Sequence, residues 1–229
     1  TAGCSLTAQQ PENNIARTGF QALAGVLGGT QSLHTNSMDE TLALPTEKAA
    51  EIALRTQQLI AYETGVSNVV DPLGGSWYIE KLTDDIEQKA EEYFSEIDAL
   101  GGVVPAIEQG FFQREIAKSA SDYQNKVDEG KRIVVGINKF VKENEEIDIP
   151  ILEIGSEAGQ DQLKKLSELK KDRNNKNVED AISKIRKACK EETNLMYPII
   201  DAAKKYVTLG EIVDALKVEF GEWQESAVF

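Results

Sequence analysis

Apolar residues recur at helical spacing along most of this chain, interrupted by a few short runs with strand character. Over residues 11–27, Ile15, Phe20, Leu23, Ala24 and Leu27 share one helical face, Pro11 suits a first turn, and Gly28-Gly29 stops the run. A second amphipathic helix is predicted over 46–63. Thr46 is its N-cap, Glu47 complements its dipole, Ala49, Ile52, Ala53, Thr56 and Ile60 line its apolar face, and Gly65 ends it. Between the two helices, residues 31–35 have room for a short strand, with Gln31, Leu33 and Thr35 on one face and Ser32 and His34 on the other. Residues 42–45 make a turn.

Further along, Asp71-Pro72-Leu73-Gly74-Gly75-Ser76 is a turn cluster. Residues 77–80 read as short and extended, and an acidic helix is predicted from Thr83 to about Leu100 with Ile86, Ala90, Phe94 and Ile97 on a buried stripe. Gly101-Gly102 separates it from a helical pair over 105–129. Residues 132–140, rich in β-branched Ile133, Val134, Val135 and Ile137, form the strongest strand pattern, and 149–154 a weaker one. From Gly159 onward the chain reads as charged helices over 160–173, 178–191, 195–207 and 208–220, the last opened by a capping box of Thr208 and Glu211. A helix–strand–helix unit followed by no further alternation is the pattern of the last unit of an α/β barrel. The chain starts at Thr1 without a Met, in what reads as mid-loop, so it is expected to be the C-terminal part of a longer polypeptide.

Composition narrows the partners. Among 229 residues, 39 acids against 25 bases give a formal net charge of −14, which excludes phosphate neutralisation of nucleic acid. No apolar run approaches a membrane span. Cys4 and Cys189 stand alone, which fits a reduced, cytoplasmic compartment and neither a disulfide nor a zinc site.

The candidate chemistry gathers at residues 28–40, where Thr30, Gln31, Ser32, His34, Thr35, Asn36, Ser37, Asp39 and Glu40 crowd around the sole histidine. Two readings stand side by side: a strand end opening into an active site, or a capped polar linker between two helices whose groups satisfy one another. Gly3-Cys4-Ser5 is a small-residue loop where backbone can approach a ligand closely. Other features read as structural: Asp71 and Gly74-Gly75 as a turn, Trp77 and Tyr78 as packing, Cys189 as a buried apolar group, and the Lys164-Lys165 and Lys170-Lys171 pairs as solvated helix faces.

The run from Gly29 to Glu40 followed by Leu44-Pro45-Thr46 closely resembles the methylmalonyl-CoA mutase large (catalytic) chain. So do Ser5-Leu6-Thr7, Asn13-Asn14-Ile15-Ala16-Arg17-Thr18, Arg55-Thr56-Gln57, the 71–76 turn, Val135-Gly136-Ile137-Asn138-Lys139 and Thr208-Leu209-Gly210-Glu211-Ile212, in the family's order. The resemblance implies an α/β fold: the C-terminal portion of a (β/α)8 TIM barrel over 1–80, a connecting region with helices and a short strand pair over 81–155, and a mostly helical tail over 156–229 leading toward a cobalamin-binding subunit. It implies an isomerase that uses adenosylcobalamin (coenzyme B12) and a 5′-deoxyadenosyl radical to shift a carbonyl-CoA group, interconverting methylmalonyl-CoA and succinyl-CoA. Isobutyryl-CoA or 2-hydroxyisobutyryl-CoA mutase, or a non-catalytic interaction fragment, are the alternatives.

Residue by residue, Gln31 and Ser32 match family positions that hydrogen-bond the pantetheine of the acyl-CoA substrate, and Asn36 matches the next polar contact. Gly3, Glu40, Thr41 and Leu44 match positions against the cofactor face, Thr41 departing from the alanine often found there. Because His34 alternates with Gln31, Leu33 and Thr35, it is expected to point away from them, as a satisfied histidine one layer behind the site. The family's catalytic histidine, tyrosines and carboxylate-reading arginine are expected upstream of Thr1, and the cobalt-ligating Asp-x-His-x-x-Gly pattern is absent. No catalytic residue and no metal ligand is therefore assigned here. The chain alone is expected to be inactive, working within a homo- or hetero-oligomer with a small cobalamin-binding subunit.

Overall fold

The computed structural model describes residues 1–147 and 149–225, and every regular element among them is helical. They divide into two compact units, residues 1–153 and 154–225. The last residues of the expected tail, 226–229, lie outside the described residues.

The first unit holds α1 (Asn13–Leu27), α2 (Glu47–Glu63), α3 (Trp77–Ala99), α4 (Val103–Glu108) and α5 (Phe111–Asp128). α1 and α2 pack through small residues: Ala22 and Ala49 are fully buried, and a Cβ on Gly19 would stand 3.9 Å from Thr56 Cγ2. Thr46 caps α2 as its sequence predicts, accepting from Ala49 N at 3.3 Å, and Gly65 turns left-handed beyond its end.

The predicted strands are absent among the described residues. Residues 31–35 run without a ladder partner, and side chains take over the backbone groups instead. Gln57 Nε2 donates to Leu33 O at 3.4 Å and the Thr1 backbone nitrogen to His34 O at 2.6 Å, while Asn36 N donates to Thr1 Oγ1 at 2.9 Å. Residues 132–140 form a tight turn with a single bridge between Val135 and Lys139. Gly136 at φ +85° reverses the chain, and the Asn138 amide accepts from Val134 N at 2.8 Å while donating to Val127 O and Arg132 O. An asparagine that serves the local backbone this way outcompetes a ladder, whatever the β-branched content around it. Residues 149–154 also form no strand.

α3 corrects two further expectations. It starts at Trp77, not Thr83, because the Glu80 carboxylate accepts from Gly75 N at 2.8 Å ahead of the first turn, and Thr83 sits mid-helix with its hydroxyl on Ile79 O. No α3 residue is buried: Ile86 and Phe94 are exposed, as are Trp77 and Tyr78, so neither the stripe nor the two aromatics act as core.

The second unit holds α6 (Ser156–Asp172), α7 (Asn175–Lys190), α8 (Met196–Lys204) and α9 (Leu209–Phe220). Its core sets Val178, Ala181, Ile185 and Cys189 of α7 against Ala202 of α8, Val207, and Ile212 and Ala215 of α9. Both cysteines are free, Cys189 buried as expected and Cys4 exposed. The capping box forms: Thr208 Oγ1 accepts from Glu211 N at 3.3 Å and Thr208 N donates to Glu211 Oε2 at 2.9 Å.

The Arg173 guanidinium closes on the same carboxylate through both nitrogens, Nη1 to Oε2 at 2.7 Å and Nη2 to Oε1, and donates to Tyr206 O at 2.8 Å. This hydrogen-bonded guanidinium, aided by Thr208 against the opposing cost of burial, lowers the Glu211 carboxyl from 4.5 to about 2. A folded-state value below the unfolded one means stability that is complete above about 4.5 and is lost as pH falls through about 2. With Glu211 partly exposed, the loss is about 2 kcal/mol. Acid titration of helical circular dichroism is expected to show it, with Glu211→Gln removing that part of the acid limb.

No helix among the described residues is long and apolar enough to cross a membrane.

Candidate functional site at the loops flanking helix α1

The site is built from three pieces of chain: the first ten residues, the N-terminal half of α1, and residues 31–46. α1 presents Asn14, Thr18 and Ala22 inward at four-residue spacing. Asn14, fully buried, works as a two-sided staple. Its Nδ2 donates to Thr7 O at 2.8 Å and Met38 O at 2.9 Å, and its Oδ1 accepts from Thr7 N at 3.1 Å and Arg17 Nη1 at 2.8 Å. Thr18 Oγ1 donates to Asn36 O at 3.4 Å. The N-terminal loop and the polar stretch are thus both hung on one helix face.

Arg17 extends this staple outward, donating from Nη1 to Thr7 Oγ1 and from Nη2 to Val135 O, both at 2.8 Å. Gln10 Nε2 donates to Phe140 O at 2.9 Å. The 132–140 turn is therefore clasped to the N-terminal loop by side chains that precede it by more than a hundred positions.

Three of the residues singled out from sequence meet here. Asn36, buried, donates from Nδ2 to Glu40 Oε2 at 2.7 Å, and its Oδ1 accepts from the Thr1 hydroxyl. Gly3 lies against both: a Cβ there would stand in ordinary contact with Asn36 Nδ2 at 3.6 Å and 3.3 Å from Glu40 Oε1, close enough that the Glu40 carboxylate would have to give by a few tenths of an ångström. Thr41 joins through the N-terminal loop, its hydroxyl donating to Thr7 O at 3.2 Å. Gln31, Ser32 and Leu44 stay outside this cluster, each exposed.

His34 points away from Leu33 and Thr35 as expected, but it is exposed and does not lie one layer behind the site. Leu33 and Thr35 turn toward the helices: Leu33 Cδ1 lies 3.6 Å from where a Gly25 Cβ would be, and Thr35 Oγ1 donates to Ala53 O at 2.7 Å while accepting from Gln57 Nε2 at 3.0 Å. That face belongs to α1 and α2, so His34 is on the open side, exposed and bonded through its carbonyl.

The profile of a family described as methylmalonyl-CoA mutase matches residues 1–222, nearly the whole chain. The chain belongs to the methylmalonyl-CoA mutase family. A "Methylmalonyl-CoA mutase" of Rhizobium meliloti (strain 1021) is 42% identical over 225 residues, covering 97% of this chain and 32% of that protein. The "2-hydroxyisobutanoyl-CoA mutase large subunit" of Aquincola tertiaricarbonis is 41% identical over 230 residues, covering all of this chain and 41% of that protein. A "Methylmalonyl-CoA mutase" of Escherichia coli (strain K12) is 42% identical over 97% of the chain and 31% of its own length. The chain thus spans about a third to two-fifths of the length of these mutase-family relatives.

Reading the sequence missed Thr7, Asn14 and Arg17 as members of the site, and placed Asp39 in the polar run without giving it a role. Asn14 carried one legible signal, an amide on the same four-residue stripe as Thr18 and Ala22.

Proposed function

We propose that this chain is the C-terminal portion of the catalytic large chain of an adenosylcobalamin-dependent acyl-CoA mutase, with methylmalonyl-CoA and succinyl-CoA as its substrate pair. Residues 1–80 then contribute the end of the (β/α)8 barrel, 81–155 the connection, and 156–229 the helical tail toward a small cobalamin-binding subunit, in a cytoplasmic hetero-oligomer. The observation that carries the reading is the meeting of Gly3, Asn36 and Glu40 in a chain that belongs to this family.

The residues present fit the cofactor. Gly3 leaves a bare backbone surface beside the Glu40 carboxylate, which the Asn36 amide holds. Gly3, Glu40, Thr41 and the exposed Leu44 would hold the adenosylcobalamin face, three by polar or backbone contact and Leu44 by apolar contact. When bound, the cofactor supplies the radical chemistry. This chain's part is to bind, orient and exclude water: exposed Gln31 and Ser32 are free to hydrogen-bond the pantetheine amides, and buried Asn36 keeps the Glu40 carboxylate fixed.

The test is an activity assay of the complete large chain with its small cobalamin chain, adenosylcobalamin and a panel of acyl-CoA thioesters. Turnover of methylmalonyl-CoA is expected, and Gln31→Ala should weaken acyl-CoA binding by about 1–3 kcal/mol. No mutase activity toward any thioester would overturn the reading. The 41% identity to a 2-hydroxyisobutanoyl-CoA mutase large subunit favours 2-hydroxyisobutyryl-CoA as the second substrate to test.

A further inference from the structure

Asp39 is among the most completely buried side chains of the first unit, at 1% exposure, although it is an acidic residue whose side chain accepts hydrogen bonds from Thr46 and from no cation among the described residues. Its contacts have one geometric theme. Its backbone oxygen accepts from Leu42 N at 2.9 Å and Ala43 N at 3.1 Å, and its Oδ2 accepts from both Thr46 N and Thr46 Oγ1 at 2.9 Å. One residue therefore ties both ends of the loop over residues 40–45. The Thr46 hydroxyl passes the constraint onward: it donates to Asp39 and accepts from Ala49 N, the first turn of α2. α2 is in turn packed on α1, whose Asn14 holds the carbonyl just before Asp39, that of Met38, at 2.9 Å. The second carboxylate oxygen, Oδ1, is buried and has no partner among the described residues.

A buried carboxylate bonded on one oxygen alone is an expensive way to close a loop, since an asparagine or serine could cap the same backbone groups. We infer that Asp39 is the positioning residue of the cofactor-facing loop: it fixes Glu40, Thr41 and Leu44 against the N-terminus of α2, so that they meet adenosylcobalamin preformed. The inference rests on the proposed role of that loop. It assigns Asp39 no contact with cofactor or substrate; it acts through its neighbours.

The experiment uses the complete large chain with its cobalamin-binding subunit, titrated with adenosylcobalamin and followed by the change in the cobalamin absorption band, with the acyl-CoA Kd measured separately. Asp39→Ala is expected to raise the adenosylcobalamin Kd about tenfold and to leave the acyl-CoA Kd within about twofold. Thr46→Val, which keeps the backbone donor and removes the hydroxyl, should raise the same constant in the same direction. Thr46→Ser, which keeps the hydroxyl, should restore it. If Asp39→Ala does not fold, the Thr46 pair decides. Equal rises in both constants, or an unchanged adenosylcobalamin Kd, overturn the inference. Glu40→Gln separates the two levels: if it leaves the cofactor Kd unchanged, the proposed role of the loop falls; if it raises that constant while the Asp39 and Thr46 variants do not, only the positioning role falls.

Discussion

Asn14→Leu is expected to cost the first unit about 4 kcal/mol of unfolding free energy, the largest effect of any single substitution there. Leucine has similar bulk, so the loss is not one of volume. It strips the Asn14 partner from Thr7 N and Met38 O and leaves Thr7 O with the Thr41 hydroxyl alone, bonds that Asn14 makes at 2.8–3.1 Å from a fully buried side chain. Each stranded backbone group keeps its desolvation cost and recovers no water. Arg17 Nη1 also loses an acceptor, which loosens its hold on the N-terminal loop. Asn14→Asp discriminates the mechanism. It retains an acceptor for Thr7 N and Arg17 but turns an oxygen toward two carbonyls, so it should recover only part of the loss. Urea denaturation followed by circular dichroism measures both; an Asn14→Leu chain within about 1 kcal/mol of the parent would show that the staple contributes little.

Ile185→Ala is expected to cost the second unit about 3 kcal/mol. Ile185 is fully buried in the middle of the α7 face, among Ala181, Cys189, Ala202 and Ile212. Its neighbours include several alanines, which have no side chain to swing into the space, so a cavity remains and its lining loses contact. Ile185→Val removes a single methylene and should cost about 1 kcal/mol. A thermal melt of each variant gives the comparison. Because the damaged core is confined to α7, α8 and α9, the hydrogen bonds of Asn36 and Glu40 are expected to survive in both.

How much of this was legible beforehand depends on how local the cause is. Thr46 and Thr208 could be read as caps because their partners sit three residues on, and the α2 face follows from short-range periodicity, whereas the apolar face expected of α1 does not hold: that helix buries Asn14, Thr18 and Ala22 and leaves Phe20 exposed. Residues 132–140 misled for the opposite reason. Their β-branched side chains favour a strand, but Gly136 at positive φ and the three bonds of Asn138 decide the backbone, and composition does not weigh one asparagine against four aliphatic residues. The α3 stripe was read correctly as a pattern and wrongly as a burial, since periodicity gives the face and not what lies opposite it. Family resemblance named Gly3, Asn36 and Glu40 but set Asn36 with the substrate contacts and the other two with the cofactor contacts, so their meeting was not anticipated. Asn14 was missed because its partners include the Met38 carbonyl, 24 residues away, which no spacing rule encodes.

The clasp of Arg17 on Val135 and Gln10 on Phe140 sets an order of assembly. These bonds join residues 118 and 130 positions apart, so the loop they close carries a large entropic cost that helix formation and the α1–α2 pairing do not share. The helices can therefore form early, whereas the opening segment waits for the 132–140 turn to arrive before its last donors are quenched. Synthesis from the amino end makes that wait a matter of translation time, with Arg17 and Gln10 idle until α3, α4 and α5 have been made.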